Sequence, residues 1–164
     1  MKTISSLAPL LLLIFACRLC SLSGNTDKPN NLNPYKGAVQ VLLPVELSTG
    51  LIKFKLDTSQ RTDFKGATDA VKANYTMQSG SISVPVQLQV ANFASSQEVG
   101  AALRAFANEH NLVLEPKTKS GTTVGQRLTW DNGRVVMWSN GSLQCLASST
   151  ASGTTSNFEG ALPF

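Results

Sequence analysis

The chain is poor in the residues from which most catalytic and metal sites are built. Among its 164 residues there is one histidine, His110, and there are three cysteines, Cys17, Cys20 and Cys145. Zinc sites draw on several His or Cys ligands at characteristic spacings. No H-E-x-x-H, paired C-x-x-C or EF-hand pattern occurs. The C-x-x-C formed by Cys17 and Cys20 abuts an apolar N-terminal segment rather than a βα turn, which removes a redox reading. Phosphate-binding glycine loops are missing as well, and Ser142 stands in Asn140-Gly141-Ser142-Leu143 rather than in a G-x-S-x-G elbow. The acidic residues are scattered, with no pair spaced for acid–base work. His110, at an expected helix end, reads as a surface residue that suits the helix dipole. The expectation is a protein that is not an enzyme and that holds no metal or cofactor.

Charge is also scarce. Charged residues make up 15% of the chain and the formal net charge is +4, of which Lys2 and Arg18 lie in or beside the N-terminal segment. So small an excess does not make the electrostatic footprint of a nucleic-acid binder. Lys53, Lys55, Lys65 and Lys72 can form a local basic face, for which solvation and solubility beside a membrane are sufficient reasons.

The third absence is a long apolar run. A membrane span needs about 20 apolar residues. Residues 7–16, LAPLLLLIFA, are too short and follow Met1-Lys2, which is the pattern of a secretory signal. Ile14-Phe15-Ala16-Cys17 resembles a bacterial lipobox, with Phe15 bulkier than the pattern prefers; Ser21-Leu22-Ser23 before Gly24 offers an ordinary cleavage site instead. The first route puts lipid on Cys17. It leaves Cys145 either as a small buried hydrophobe or bridged to Cys20. Residues 21–34, SLSGNTDKPNNLNP, have no periodicity and read as a flexible tether. The expected organisation is a signal peptide over 1–16, a lipid-anchored tether over 17–36 and a single domain over 37–164.

What the domain has is alternation and turns. Val39, Val41, Leu42 and Leu43 precede Pro44 and fit an edge strand or an extended segment. Residues 51–56 alternate, residues 58–66 read as a loop, and residues 67–78 alternate again. The cleanest period of two is Ile82, Val84, Val86, Leu88 and Val90, with Pro85 on the polar side marking an edge or a bulge. Ser95-Ser96-Gln97-Glu98 is a capping box, and Val99, Ala102, Leu103 and Phe106 make the apolar stripe of a helix ending near Asn108 or Glu109. Residues 112–114 suggest a short strand and residues 116–123 a polar loop.

Residues 125–148 read as a three-strand meander. Asp131-Asn132-Gly133 and Asn140-Gly141 supply its turns. A three-residue first turn would put Leu128, Val136, Trp138, Leu143 and Cys145 on one buried face. Trp138 belongs in the core, and the rim formed by Trp130, Asp131, Asn132 and Arg134 is the candidate contact surface. Thr154 or Thr155 can start a last helix through Phe158 and Glu159, stopped by Gly160, with Phe158, Leu162 and Phe164 as its apolar contacts. The sequons at Asn74 and Asn140 have structural reasons to be Asn. No internal repeat is visible.

From Gly66 onward the chain resembles a group of small bacterial envelope lipoproteins with no assigned activity. The likeness lies in GATDAVKANY at 66–75, VANFASSQE at 90–98, WSNGSL at 138–143 and FEGALPF at 158–164. It implies lipidation of Cys17 and a bacterial envelope location, and no substrate. The expected fold is α+β, a mainly antiparallel sheet of about six strands with a helix on each face. The expected function is a non-enzymatic binding or interaction module held to the membrane by lipid, whose partner is an unknown protein or small ligand and not nucleic acid. A secreted soluble ligand-binding protein and an envelope enzyme are the alternatives.

Overall fold

A computed structural model describes residues 34–119 and 121–163. Cys17, Cys20, the signal segment, nearly all of the expected tether and Phe164 lie outside the described residues. Eight strands and two α-helices follow in the order β1 (Glu46–Thr49), β2 (Ile52–Arg61), β3 (Asp69–Ser79), β4 (Ile82–Asn92), α1 (Ser96–His110), β5 (Glu115–Lys119), β6 (Thr122–Trp130), β7 (Val135–Asn140), β8 (Leu143–Ser149) and α2 (Thr154–Ala161), with a 3-10 turn at Val39–Leu42. All strands join one antiparallel sheet in the order β1-β2-β3-β4-β8-β7-β6-β5. Four strands and a helix therefore occur twice. The two meanders are fused by antiparallel pairing of β4 with β8, from Val86 opposite Ser149 to Asn92 opposite Leu143. The repetition lies in the order of elements, not in the amino acids.

This corrects the expected six-stranded sheet between two helices. The sheet has eight strands because residues 116–123 form most of a hairpin, β5 and the start of β6, instead of a polar loop, and because Glu46–Thr49 forms an edge strand. Alternation of polar with polar residues leaves no period to read, so both were invisible to a hydrophobic pattern. Residues 112–114 form no strand, β2 continues to Arg61 through the expected loop, and Val39–Leu42 is a 3-10 turn. Pro85 is accommodated within β4 at a point where that strand has run past the last β8 pair at Val86.

Nor is the sheet a flat layer between helices. α2 touches β7 and β8, and it also touches β1 at the far edge. One face of the sheet therefore curls around α2. Phe158 is fully buried in that concave face, with its ring 5.0 Å from Phe54 of β2 and 4.8 Å from Tyr75 of β3. Val71, Leu88, Val90, Val136, Trp138, Cys145 and Leu162 complete the same core, and the 3-10 turn adds Val39. Burial pushes the Tyr75 phenol up to about 12, and its hydroxyl donates to the Pro44 carbonyl at 3.0 Å. A smaller core lies on the other face. There Val99, Leu103 and Ala107 of α1 pack on Leu128, Met137, Ala91 and Phe93. α1 lies mainly over β6, β7 and β8, and its core reaches β3 and β4 at Ala70 and Ala91. Beyond these two residues the same face of β2–β4 carries no helix among the described residues and presents Lys53, Lys55, Thr58, Lys72, Asn74 and Gln87, with Asn74 bonded to both Thr58 and Gln87.

The meander keeps its place but changes register. Its last turn is Gly141-Ser142, with φ +59 at Gly141, so Asn140 pairs with Leu143 and Trp138 faces Cys145. Glycine at the first central position is the type II′ choice for a two-residue hairpin. The first turn has four residues, 131–134. Asp131, Asn132 and Gly133 all adopt positive φ, and the Arg134 N–H donates to the Asp131 carbonyl at 3.0 Å. Leu128 consequently faces Met137 and belongs to the core under α1, not to the Trp138 face. The shared-face argument failed because both faces are covered here, so burial did not discriminate between registers.

The helix starts are as the sequence suggests for α1, where Ser95 Oγ accepts from the Glu98 N–H at 3.2 Å. In α2, Gly153 stands at the N-cap and Gly160 lies inside the helix rather than ending it. Removing the ring that fills the concave face should be costly. Phe158→Ala is expected to lower unfolding free energy by about 3–5 kcal/mol in urea titration, with the folded-state amide spectrum retained if the fold survives.

Candidate functional site

A cleft opens where β6 leaves the sheet. β6 pairs with β7 only from Arg127 to Trp130, whereas its first half stays with β5. At the departure point the Gln126 N–H donates to the Ser139 hydroxyl at 2.9 Å instead of to a ladder carbonyl. Gly125 makes this approach feasible: a Cβ there would sit 2.1 Å from the Ser139 carbonyl oxygen. The β5–β6 hairpin thus diverges from β7, and the start of α1 lies across the gap. A cleft of about 640 Å³ results, within the size range of small-ligand sites.

The walls of the cleft have distinct chemistry. Leu114, Pro116 and Val124 supply an apolar side. Ser96 and Gln97 open α1, where first-turn amides have no partner within the helix. Arg104 brings a positive charge, and among the described residues no carboxylate pairs with it. The Gln126 Oε1 atom is buried without a hydrogen-bond partner. A Cβ on Gly100 would lie 3.4 Å from Arg104 Nη1 and 3.8 Å from Gln126 Oε1, so a cation and an acceptor end beside a helix position that has no side chain. Glycine inside an α-helix costs about 1 kcal/mol relative to alanine, and at Gly100 the Arg104 guanidinium and the Gln126 amide lie against the position that a side chain would take.

A second polar cluster sits on the concave face. Glu159 of α2 bonds Lys117 Nζ through Oε1 and Arg127 Nε through Oε2, both at 2.8 Å. Lys117 also lies 4.7 Å over the Trp138 ring, and Arg127 reaches Thr129 and Ser156. Each charge has a partner, and together they fasten α2 to β5 and β6. Burial pushes the Cys145 thiol well above its ordinary range, only partly offset by the nearby Lys117 charge. Cys145 is fully buried and has no disulfide partner among the described residues, which do not include Cys20.

The residues singled out from sequence fall elsewhere. Trp130 is half-buried, its ring 5.4 Å from Phe106, and Phe106 in turn stacks on His110 at 4.3 Å. Asp131, Asn132 and Arg134 are exposed at the turn. The Asn132 and Gly133 carbonyls accept from Ser152 and Thr155, tying this turn to the start of α2. Trp130, Asp131, Asn132 and Arg134 are therefore contiguous at one rim, but the rim does not border the cleft, whose lining they do not join. Lys53, Lys55 and Lys72 share the helix-free face of β2–β4, and Lys65 lies in the loop before β3. Among the described residues no three or more His, Cys, Asp or Glu gather to hold a metal ion, and no described helix is long and apolar enough to cross a membrane. Sequence reasoning missed Gly100, Arg104, Gly125 and Gln126. The one available signal was a glycine in the middle of an otherwise regular helix.

No protein-family model, curated protein or solved structure matches the chain.

Two measurements check this division of roles. Gly100→Ala, whose Cβ would meet only ordinary van der Waals contacts, should raise stability by up to about 1 kcal/mol, whereas Gly125→Ala should lower it by about 2 kcal/mol or more, the range of steric overpacking; equal effects in chemical denaturation would contradict this division. Glu159→Gln should cost about 3 kcal/mol, the lower end for a broken buried ion pair, because Arg127 keeps Glu115 at 3.5 Å and some water contact while Lys117 loses its carboxylate. Amide shifts at Gly125 and Gln126 should move in that variant, because the lost ion pairs hold β5 and β6 on the concave side.

Proposed function

We propose that the chain is a non-enzymatic envelope lipoprotein, anchored through lipid on Cys17, whose folded domain is a binding module. The observation that carries the binding reading is the cleft between α1 and the β5–β6 hairpin, with the apolar side chains of Leu114 and Val124 on one wall and the exposed Arg104 guanidinium and the opening turn of α1 on the other. Apolar wall and convergent polar groups together are the usual composition of a small-ligand pocket.

The anchor rests on sequence: the Ile14-Phe15-Ala16-Cys17 lipobox and the polar spacer that follows it. The described domain accommodates such an anchor, because its N-terminal end is fixed at one place. The Tyr35 N–H donates to Ser142 Oγ at 2.9 Å, and the Tyr35 carbonyl accepts from Asn92 Nδ2 at 2.7 Å. The tether would then leave the sheet beside the β7–β8 turn, close to Gly141 at the mouth of the cleft.

Mass spectrometry of the mature N-terminus is the direct test. The expected product begins at an acylated Cys17, and Cys17→Ala should move the protein from the membrane fraction to the soluble one. A mature chain beginning unmodified at Gly24, or unchanged fractionation of the variant, would remove the lipoprotein reading. A small-fragment screen by amide chemical shift tests the binding module separately, and the expected responders are Gly100, Gly125 and Gln126.

A further inference from the structure

We infer that β1 pairs with β1 of a second copy of this chain, antiparallel about a two-fold axis at Leu47. The inference is independent of the cleft and of the anchor. The sheet ends in two edge strands, β1 and β5, and only one of them is guarded. Natural sheets blunt an open edge with proline, bulges and inward-pointing charges. β5 has all three: Pro116, the register shift between Lys117 and Thr118, and Lys117 itself, which points into the concave face toward Glu159. β1, Glu46-Leu47-Ser48-Thr49, has none of them. Val45 leads into it and Leu51 follows it, 66% and 92% exposed.

The ladder decides the register. The Leu56 N–H donates to the Val45 carbonyl at 2.8 Å. Bonded and non-bonded pairs alternate along an antiparallel ladder, so Leu47 and Thr49 also bond β2, and the N–H and C=O of Glu46 and Ser48 point away from it. Glu46 of one copy opposite Ser48 of the other satisfies these groups in both chains and sets Leu47 against Leu47 on the axis. The side chains agree. On the concave side Val45 and Thr49 of opposite copies flank the two leucines. On the other face Glu46 stands beside Lys55, and Ser48 beside Lys53. A row across the seam then runs Lys55 and Glu46 of one copy, Ser48 and Lys53 of the other. Glu46 has no ion-pair partner among the described residues. In the pair it lies between a lysine of its own β2 and one of the second copy, the latter two strand spacings or about 10 Å away. The edge is therefore complementary in charge to itself. An unrelated strand would share the backbone bonds but not this row.

A seam of one four-residue strand is smaller than that of a permanent dimer, so self-association is expected at roughly 0.1–1 mM. The test follows sedimentation, and amide shifts of the ¹⁵N-labelled full chain, from well below to above that range. Concentration-dependent shifts are expected at Val45 to Thr49. Ser48→Pro removes an outward N–H that β2 does not use, so it should keep the folded spectrum and weaken association roughly tenfold or more. Glu46→Lys should weaken it too, by placing like charges in one row. In a chain carrying Cys17→Ser and Cys20→Ser, Leu47→Cys should form an interchain disulfide on mild oxidation, because a non-bonded pair brings the two Cα atoms to about 4.5 Å. Ser48→Cys should not, since the two Ser48 positions lie beyond the roughly 7 Å that a disulfide spans. A chain that stays monomeric throughout, association unchanged by both Ser48→Pro and Glu46→Lys, or equal crosslinking at 47 and 48 would overturn the pairing. So would association whose shifts gather at β5. A monomer whose β1 amides respond only to phosphatidylglycerol vesicles would give this edge to a lipid surface instead.

Discussion

The concave face of the sheet depends on one ring. Phe158 enters it from α2 and meets Phe54 and Tyr75, which belong to strands of the other meander. Without that filler, β1 and β2 would lose the largest side chain that α2 places between them and the other meander, and the pairing of β4 with β8 joins the two meanders only along their shared centre. Backbone pairing fixes strand order, and packing around Phe158 fixes curvature. The Glu159 ion pairs with Lys117 and Arg127 sit on the next residue and hold the other end of the sheet, β5 and β6, to the same helix. Two adjacent residues of α2 thus gather both edges of an eight-stranded sheet, one by apolar contact and one by charge.

Curvature on one face has a consequence on the other. Once β5 and β6 are drawn toward α2, the first half of β6 parts from β7, and Gly125 with Ser139 marks the point of parting. α1 does not close the gap. It crosses β6, β7 and β8, packing Val99 and Leu103 on Leu128 and Met137, and at Gly100 it offers no side chain to the opening. The cleft is thus a product of the way the core is built. Two side chains of the same hairpin are engaged on the concave side instead, Glu115 with Arg127 and Lys117 with Glu159. The helix-free face of β2–β4, by contrast, satisfies itself through side-chain bonds among Thr58, Asn74 and Gln87.

Legibility of the chain followed hydrophobic contrast. The β3–β4 hairpin, the capping box at Ser95 and the core positions of Val136, Trp138 and Phe158 were readable because apolar and polar residues alternate with a definite period there. β5 and the start of β6 were not, since EPKTK and TTVGQ carry almost no apolar signal and owe their strand state to their neighbours. Register in the meander was misread at Leu128 because that strand pair is covered on both sides, and a burial argument then has two acceptable answers. The Asp131–Arg134 turn attracted attention as a rim of polar residues, yet positive φ at Asp131 and Asn132 is reason enough for their identity. The cleft was illegible for a different reason: Arg104, Gln126 and Ser139 come from three elements, and only the divergence of β6 brings them to one opening.

The central claim is that this opening, and not the turn rim or the lysine face, is where the domain binds a ligand. Amide chemical shifts recorded during a small-fragment screen measure that placement directly. The account predicts that the shifts gather at Gly100, Gly125 and Gln126. Shifts gathered instead at Trp130, or at Lys53, Lys55 and Lys72, would contradict it.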